Sequence, residues 1–119
     1  MRKDAQEAVA EAVVKRYDIL WAELDPARGS EIAKTRPVVV VSLDVLDEVL
    51  ATVTVCPLTS RIRSGWRSRV QIACAGKPAE IAVDQIRTIS KQRLGRKLGA
   101  LSESEAAALR RTITEMYGE

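Results

Sequence analysis

The chain has 119 residues, room for one compact domain, and 46% of them are apolar, an ordinary proportion for a soluble core. Lys and Arg number 19 against 16 Asp and Glu, a formal charge of +3 that is too mild to indicate a polyanionic partner without knowing where the charges lie. There is no histidine, so acid/base work at neutral pH falls to carboxylates, Arg, Lys or hydroxyls, and a histidine-based nuclease or a Ser-His-Asp hydrolase is excluded.

Asp4 to Val14 is predicted as a short alanine-rich helix, with Ala5, Ala8, Val9, Ala12 and Val13 three and four apart on one small face. Tyr17 to Leu24 reads as the first strand, with Ile19, Trp21 and Glu23 on one side. Leu24 to Ser42, L-D-P-A-R-G-S-E-I-A-K-T-R-P-V-V-V-V-S, is a charged loop running into four consecutive valines. It sets Glu31, Lys34 and Arg36 along a short hinge anchored by Pro37 and a stiff strand, which is how a rigid barrel presents charge to a ligand. Gly29 predicts a positive φ in that loop. Arg36 to Leu43, β-branched throughout its centre, suits a strand buried on both faces. Ala51 to Pro57 is the third strand, with Val53 and Val55 sharing a face.

Arg61 to Arg67 is a polar, Gly-containing loop. Strands follow at Ser68 to Cys74 and Glu80 to Val83, joined by a turn over Ala75 to Pro78. Asp84 to Ser90 predicts one more short strand and Lys91 to Gly99 a basic connector. Ser102 and Glu105 fit a capping box opening a final helix, whose stripe is Ala106, Leu109, Ile113 and Met116. Five or six short strands closed by one helix predict a mainly β chain with flanking helices (α+β), a small antiparallel barrel. Cys56 and Cys74 have neither metal-ligand nor redox spacing and read as reduced, apolar thiols. Asp4, Glu7 and Glu11 interrupt any signal-peptide core and no apolar run reaches membrane-spanning length, so a cytoplasmic protein is expected.

Three motifs occur in order: W-x-x-L-D-P-x-x-G-S-E-x-x-K-T-R-P-V-V-V-V-S from Trp21 to Ser42, C-P-L-T-S from Cys56 to Ser60, and V-D-Q-I-R-T-I from Val83 to Ile89. In order, spacing and flanking strands they resemble the MazF/PemK family of mRNA interferase toxins from bacterial toxin-antitoxin systems. The likeness runs from about Lys15 through the terminal helix. Residues 15-119 therefore read as one domain and 1-14 as an extension outside it, either a genuine helix or the product of an upstream start. Tyr17 stands where family members often carry Gly. The resemblance implies an SH3-like barrel that forms a homodimer, cleaves single-stranded RNA at short sequence motifs without a metal or other cofactor, and is neutralised by an antitoxin of the MazE type. It also implies roles: Arg36 in T-R-P and Thr59 in P-L-T-S match the catalytic pair, and Glu31 in G-S-E matches an acidic residue proposed as auxiliary or base.

These residue types suit RNA cleavage. Attack of a ribose 2′-hydroxyl on the adjacent phosphate builds charge on the phosphorane oxygens, which a guanidinium held by Pro37 can bind bidentately. Arg stays protonated and cannot accept the proton, whereas the Glu31 carboxylate can. The Thr59 hydroxyl can donate to a phosphate oxygen or hold the nucleophile in line, with Ser60 assisting. Arg28, Lys34, Ser60, Arg61, Arg63, Trp66 and Arg67 are the candidate RNA contacts, since charge for phosphates beside a ring for a base is the pattern of a single-strand groove. Singly, each has a plainer reading: Glu31 and Lys34 as a solvated pair, Thr59 in a local turn, Trp66 tucked against the barrel among solvated arginines. Arg87, Lys91, Arg93, Arg96 and Lys97 read as a charged solvent face or an acidic antitoxin's landing site. Asp84 and Gln85 read as structural, satisfying backbone groups. Trp21 reads as core or dimer interface.

Two other functions are weighed. One is a toxin of the same barrel class that binds DNA gyrase without catalysis; those proteins act through a Trp-containing tail, and this chain ends Met116-Tyr117-Gly118-Glu119. The other is a plain RNA-binding barrel that grips phosphates and cuts nothing.

Overall fold

The computed structural model describes residues 14–118 apart from Ser64. The helix predicted over Asp4 to Val14 lies outside those residues except for Val14, which is buried beside Leu20 and Val40. The described elements are β1 (Asp18–Glu23), β2 (Thr35–Val40), α1 (Asp44–Val49), β3 (Thr52–Thr59), β4 (Arg69–Cys74), β5 (Lys77–Ala82), β6 (Arg87–Ser90), β7 (Leu94–Ala100) and α2 (Glu103–Tyr117), with short 3₁₀ turns at Val83–Gln85 and Lys91–Arg93. The sheet is antiparallel throughout in the order β4-β5-β3-β2-β1-β7. One side of β3 is shared: its first half pairs with β6, from Thr52↔Ser90 to Val55↔Arg87, and its end pairs with β5 through Leu58↔Ile81 and Thr59↔Glu80. That handover curls the sheet into a half-barrel closed by the C-terminal helix.

Strand alternation splits the core between the two faces of the sheet. Val39, Val41, Cys56, Leu58, Ile81 and Val83 pack on one face, where Leu109 of α2 seals them. Val38, Val40, Val53, Val55, Leu20, Ala22 and Leu94 pack on the other. The valine run of β2 is thus buried on both faces, and Val53 and Val55 share one. Helix α2 opens with the predicted capping box: Glu105 N–H donates to Ser102 Oγ at 3.2 Å and Ser102 N–H donates to Glu105 Oε1 at 2.9 Å. Ala106 and Leu109 are buried beneath it and Ile113 packs half-buried against the same core, while Met116 is 36% exposed, so the predicted stripe leaves the core at its last residue.

Four local differences from the sequence reading have physical causes. The Lys91 to Gly99 segment is not a connector: after one 3₁₀ turn it becomes β7, which pairs with β1 through Leu20↔Lys97 and Ala22↔Leu94. An edge strand buries only one row of side chains, so Gly95, Arg96, Lys97 and Gly99 are tolerated there and the charges discourage pairing with another chain. The turn after β4 is tighter than predicted, confined to Ala75 and Gly76 with φ of 52° and 79°, the left-handed pair that a two-residue hairpin requires. β5 therefore starts at Lys77, and Pro78 sits where that strand pairs with β4 alone, so its missing N–H costs no bond to β3. Strand β2 stops at Val40 because Ser42 diverts the chain: its Oγ accepts from Thr54 N–H at 3.1 Å and donates to Asp47 Oδ1 at 2.6 Å. That bond ties Ser42 to the fourth residue of α1, a helix the sequence reading does not predict, whose Val45, Leu46 and Val49 are exposed along with Leu43 and Leu50.

Candidate functional site

The register of the sheet explains how distant motifs meet. Ala22 pairs with Arg36 and Val38 with Pro57, and carrying the second register two residues further sets Arg36 opposite Thr59. Thr59 faces Glu80, and Glu80 faces Gln71. Arg36 and Thr59 have the strand parity of Val38, Val40, Val53 and Val55, so they stand at the polar end of the second core layer. A groove of ≈ 490 Å³ opens there, with Ser30 to Lys34 and Arg36 along one wall, Thr59, Ser60, Arg61 and Arg63 along the other, and Arg69 and Gln85 between them. Arg36, Thr59 and Ser60 also line a second, mainly apolar cleft of ≈ 250 Å³ with Trp21, Pro37, Leu58, Cys74 and Leu98. Trp21, expected in the core or an interface, is half-buried on that cleft.

Each wall is held in place. Arg36 is oriented through Nε, which donates to the Ala33 carbonyl at 3.2 Å; among the described residues its two Nη nitrogens engage no protein acceptor. Lys34 has a φ of 69°. Its N–H donates to Asp25 Oδ1 at 2.8 Å and its carbonyl accepts from Leu24 N–H at 2.9 Å, two bonds that hold a residue other than glycine in the left-handed region. Gly29, with φ 59°, takes the positive value expected of it. Glu31 Oε1 accepts from Arg28 N–H at 2.6 Å, which closes the loop tip. Thr59 Oγ1 accepts from Arg61 N–H at 3.1 Å, leaving its proton to donate.

Of the candidate residues, Glu31, Lys34, Arg36, Thr59, Ser60, Arg61 and Arg63 share this groove, and Arg28, Trp66 and Arg67 do not line it. Trp66 is 50% exposed, and the guanidiniums of Arg63 and Arg69 lie over its ring, 5.2 and 4.9 Å from the centroid. Arg67 pairs with Glu115 of α2 at 3.7 Å, on a separate shallow surface that Trp66 also lines. The second basic stretch is less free than its sequence implies. Arg87 donates to the Leu24 carbonyl at 3.4 Å, Arg93 donates to the carbonyls of Glu23 and Asp25, Lys91 donates to the Asp47 carbonyl, and Lys97 pairs with Asp18 at 3.2 Å.

Sequence reasoning passed over a buried charge. Glu80 is fully buried, and both of its oxygens accept from Arg63 N–H at 2.9 Å. Arg69, with a side chain only 8% exposed, reaches Glu80 Oε1 at 3.4 Å through Nη1 and Asp84 Oδ1 at 2.9 Å through Nε. Burial pushes the Asp84 carboxyl up, but hydrogen bonds from Arg69 and Ser68 and the Arg69 charge outweigh it and hold the group below its ordinary value. The only signal in the sequence is one acidic residue inside the apolar run Ala79 to Val83. Gln85, read as structural, does satisfy backbone groups: it accepts from Ile32 N–H at 3.0 Å and donates to the Ser30 carbonyl at 3.3 Å. The cysteines are free, Cys56 buried and Cys74 half-buried, and burial pushes the Cys56 thiol up to about 12.

Fold and groove together define a class: a small β half-barrel that offers free guanidinium and hydroxyl groups to a polyanionic strand. The family model for the PemK-like, MazF-like toxin of type II toxin-antitoxin systems matches residues 15–117, and the chain belongs to that family. It is 34% identical over 106 residues to endoribonuclease MazF9 of Mycobacterium tuberculosis, covering 82% of this chain and 90% of that protein. Among solved structures, the M. tuberculosis toxin MazF-mt6 superimposes with a TM-score of 0.72 at 30% identity, covering 84% of this chain and 95% of the other. A MazE-MazF structure from Deinococcus radiodurans superimposes with a TM-score of 0.73 at 22% identity, over 91% of this chain and 98% of that one, which extends the likeness of fold.

Proposed function

We propose that this chain is an endoribonuclease toxin that cleaves single-stranded RNA in the groove between the Ser30 to Arg36 and Thr59 to Arg63 walls, and that a cognate antitoxin neutralises it. Supporting this are membership of a toxin family, an endoribonuclease among its relatives, and one geometric observation: Arg36 and Thr59 flank the same cationic groove, with the Arg36 Nη nitrogens unengaged among the described residues. The 2′-oxygen attacks the neighbouring phosphorus, the bond to the 5′-oxygen breaks as that oxygen takes up a proton from solvent, and the products are a 2′,3′-cyclic phosphate and a free 5′-hydroxyl. Arg36 grips the phosphorane oxygens, Thr59 donates to one of them, and Glu31, the one carboxylate on the groove lining among the described residues, takes the 2′-proton. Lys34, Ser60, Arg61 and Arg63 hold the flanking phosphates, with Arg28, Trp66 and Arg67 contacting RNA beyond the groove itself. The reaction needs no metal, because the guanidinium supplies the charge a cation would bring.

The antitoxin, of the MazE type, presents an acidic segment to the same arginines and so competes with RNA. We place residues 15-119 as one working domain, with 1-14 outside it, and the protein in the cytoplasm; among the described residues no helix is long and apolar enough to cross a membrane. It works as a homodimer, and the exposed apolar residues of α1 are surface that a second copy can cover.

The test is to incubate the purified protein with a long RNA and with the matching all-DNA strand, in chelator, and to map new ends. RNA cut at recurring short motifs with cyclic-phosphate and 5′-hydroxyl ends is expected, with DNA bound but intact. Cleavage of DNA, or cleavage abolished by chelator, overturns the mechanism. Binding without product makes the protein a plain RNA-binding barrel. Gyrase-linked DNA breaks with intact mRNA in expressing cells make it a gyrase poison.

A further inference from the structure

The two walls of the groove come from loops that begin on different strands, yet both are tied to one short segment. Asp84 and Gln85 are neighbours in the 3₁₀ turn Val83–Gln85, directly after β5. Gln85 reaches one way, joining the Ser30 carbonyl and the Ile32 N–H at 3.3 and 3.0 Å. Asp84 reaches the other way to Arg69, which also contacts Glu80, and the Glu80 carboxylate receives the Arg63 N–H on both oxygens. Glu80 is in addition the cross-strand partner of Thr59. A fully buried carboxylate is costly unless its bonds are made, and every donor around this one comes from the loop behind Thr59 or from β4. Loops are ordinarily the mobile part of such a fold, so two polar arms from one turn are a means of fixing the spacing between them.

We infer that Glu80 and Gln85 are positioning residues that hold the Thr59 wall and the Arg36 wall at a fixed separation across the groove, Gln85 directly from the turn and Glu80 from β5, tied to the turn through Arg69 and Asp84. The inference rests on the proposed cleavage reaction for its consequence, though not for its geometry. If the scissile phosphate lies between Arg36 and Thr59, loosening either arm leaves the phosphate-binding charges on the protein but spoils their alignment. Misalignment of that kind falls on kcat, whereas loss of a phosphate contact falls on KM.

The test measures steady-state cleavage of a short RNA containing the mapped motif, together with amide hydrogen exchange at Ile32 and Arg63, for Gln85→Ala, Gln85→Glu, Glu80→Ala and Glu80→Gln. In Gln85→Ala, faster exchange at Ile32 and a kcat lowered on the order of 10-fold to 10²-fold are expected, with KM changed by less than about threefold. Gln85→Glu retains the acceptor for Ile32 N–H and recovers part of kcat. Glu80→Ala does the same to Arg63 exchange and to kcat, and Glu80→Gln, which keeps an acceptor oxygen of the same reach, recovers most of it. Should Glu80→Ala fail to fold, Glu80→Gln and the two Gln85 variants carry the test, because Gln85 is only half-buried. Wild-type kcat in a variant whose amide has lost protection overturns the inference, and so does unchanged protection in both alanine variants. If the wild-type protein cuts no RNA, the proposed function falls, and the exchange data alone then decide the positioning role: lost protection upholds it and retained protection ends it.

Discussion

At the scale of single residues, the proposed mechanism puts the phosphorane charge on the guanidinium of Arg36, and the environment of that group explains why a lysine is no equivalent. The Nε bond to the Ala33 carbonyl holds the group on the groove lining and leaves both Nη nitrogens without a protein acceptor among the described residues. A lysine offers a point charge with no such fork. Arg36→Ala is expected to lower the rate of RNA cleavage on the order of 10²-fold or more, and Arg36→Lys to recover little of it, both read as initial rates on a defined oligonucleotide. The cysteines give a second residue-scale test. Burial raises both thiols, Cys56 to about 12, and Cys56 is wholly inside the core whereas Cys74 reaches the apolar cleft. An alkylating reagent at mildly alkaline pH is therefore expected to label Cys74 before Cys56 in the native protein and both alike after denaturation, read by mass spectrometry. Arg36 and Thr59 could be singled out in the sequence because each lies in a motif of fixed spacing, and the fold brings both to one groove. Glu80 was not, because its partners, the Arg63 N–H and the Arg69 guanidinium, become its neighbours only when β4, β5 and the loop between β3 and β4 pack together.

At the scale of elements, legibility followed the strength of local signals. Helix α2 was readable because a capping box and an apolar period agree, and both bonds of that box are made. Ser102→Ala removes an acceptor from the first turn and is expected to cost about 1 kcal/mol of stability, measured by urea unfolding, while Ser102→Asp keeps most of it. Strand β2 was readable because four valines in a row favour an extended chain on any face. Strand β7 was not, since Leu-Gly-Arg-Lys-Leu-Gly-Ala has weak strand propensity and becomes a strand only because the open edge of β1 supplies its hydrogen bonds. Helix α1 was hidden for the opposite reason: its apolar residues are exposed, so no buried period marks it, and its side-chain bond to the preceding loop runs from Ser42 to Asp47.

At the scale of the whole molecule, buried and half-buried carboxylates set the response to acid. The Asp84 carboxyl is held below its ordinary value of 3.8 by Arg69 and Ser68 against the upward push of burial. Its contribution to stability is therefore present in full above that ordinary value and is lost as pH falls from there through the lower folded value. Asp47 acts in the other direction: burial raises it, so the fold gains as pH falls through that raised value. Thermal melts of the wild type and Asp84→Asn across the acid range are expected to converge at the lowest pH, with the wild type the more stable at neutral pH. Equal melting temperatures at neutral pH would mean that the Arg69 to Asp84 pair adds nothing to the groove's support.

What the sequence settled by itself was the family, the strand-rich class and the capped helix, and it nominated the charged and hydroxyl residues proposed for the chemistry, because motifs and short-range periodicity are written into consecutive positions. Which of those residues share a groove, how the basic stretch after Ile86 is spent on backbone carbonyls and on Asp18, and that one turn is bonded to both walls were decided only by tertiary structure. The reason is that strand register and the burial of a charge depend on partners tens of residues away, and no local pattern encodes the distance between them.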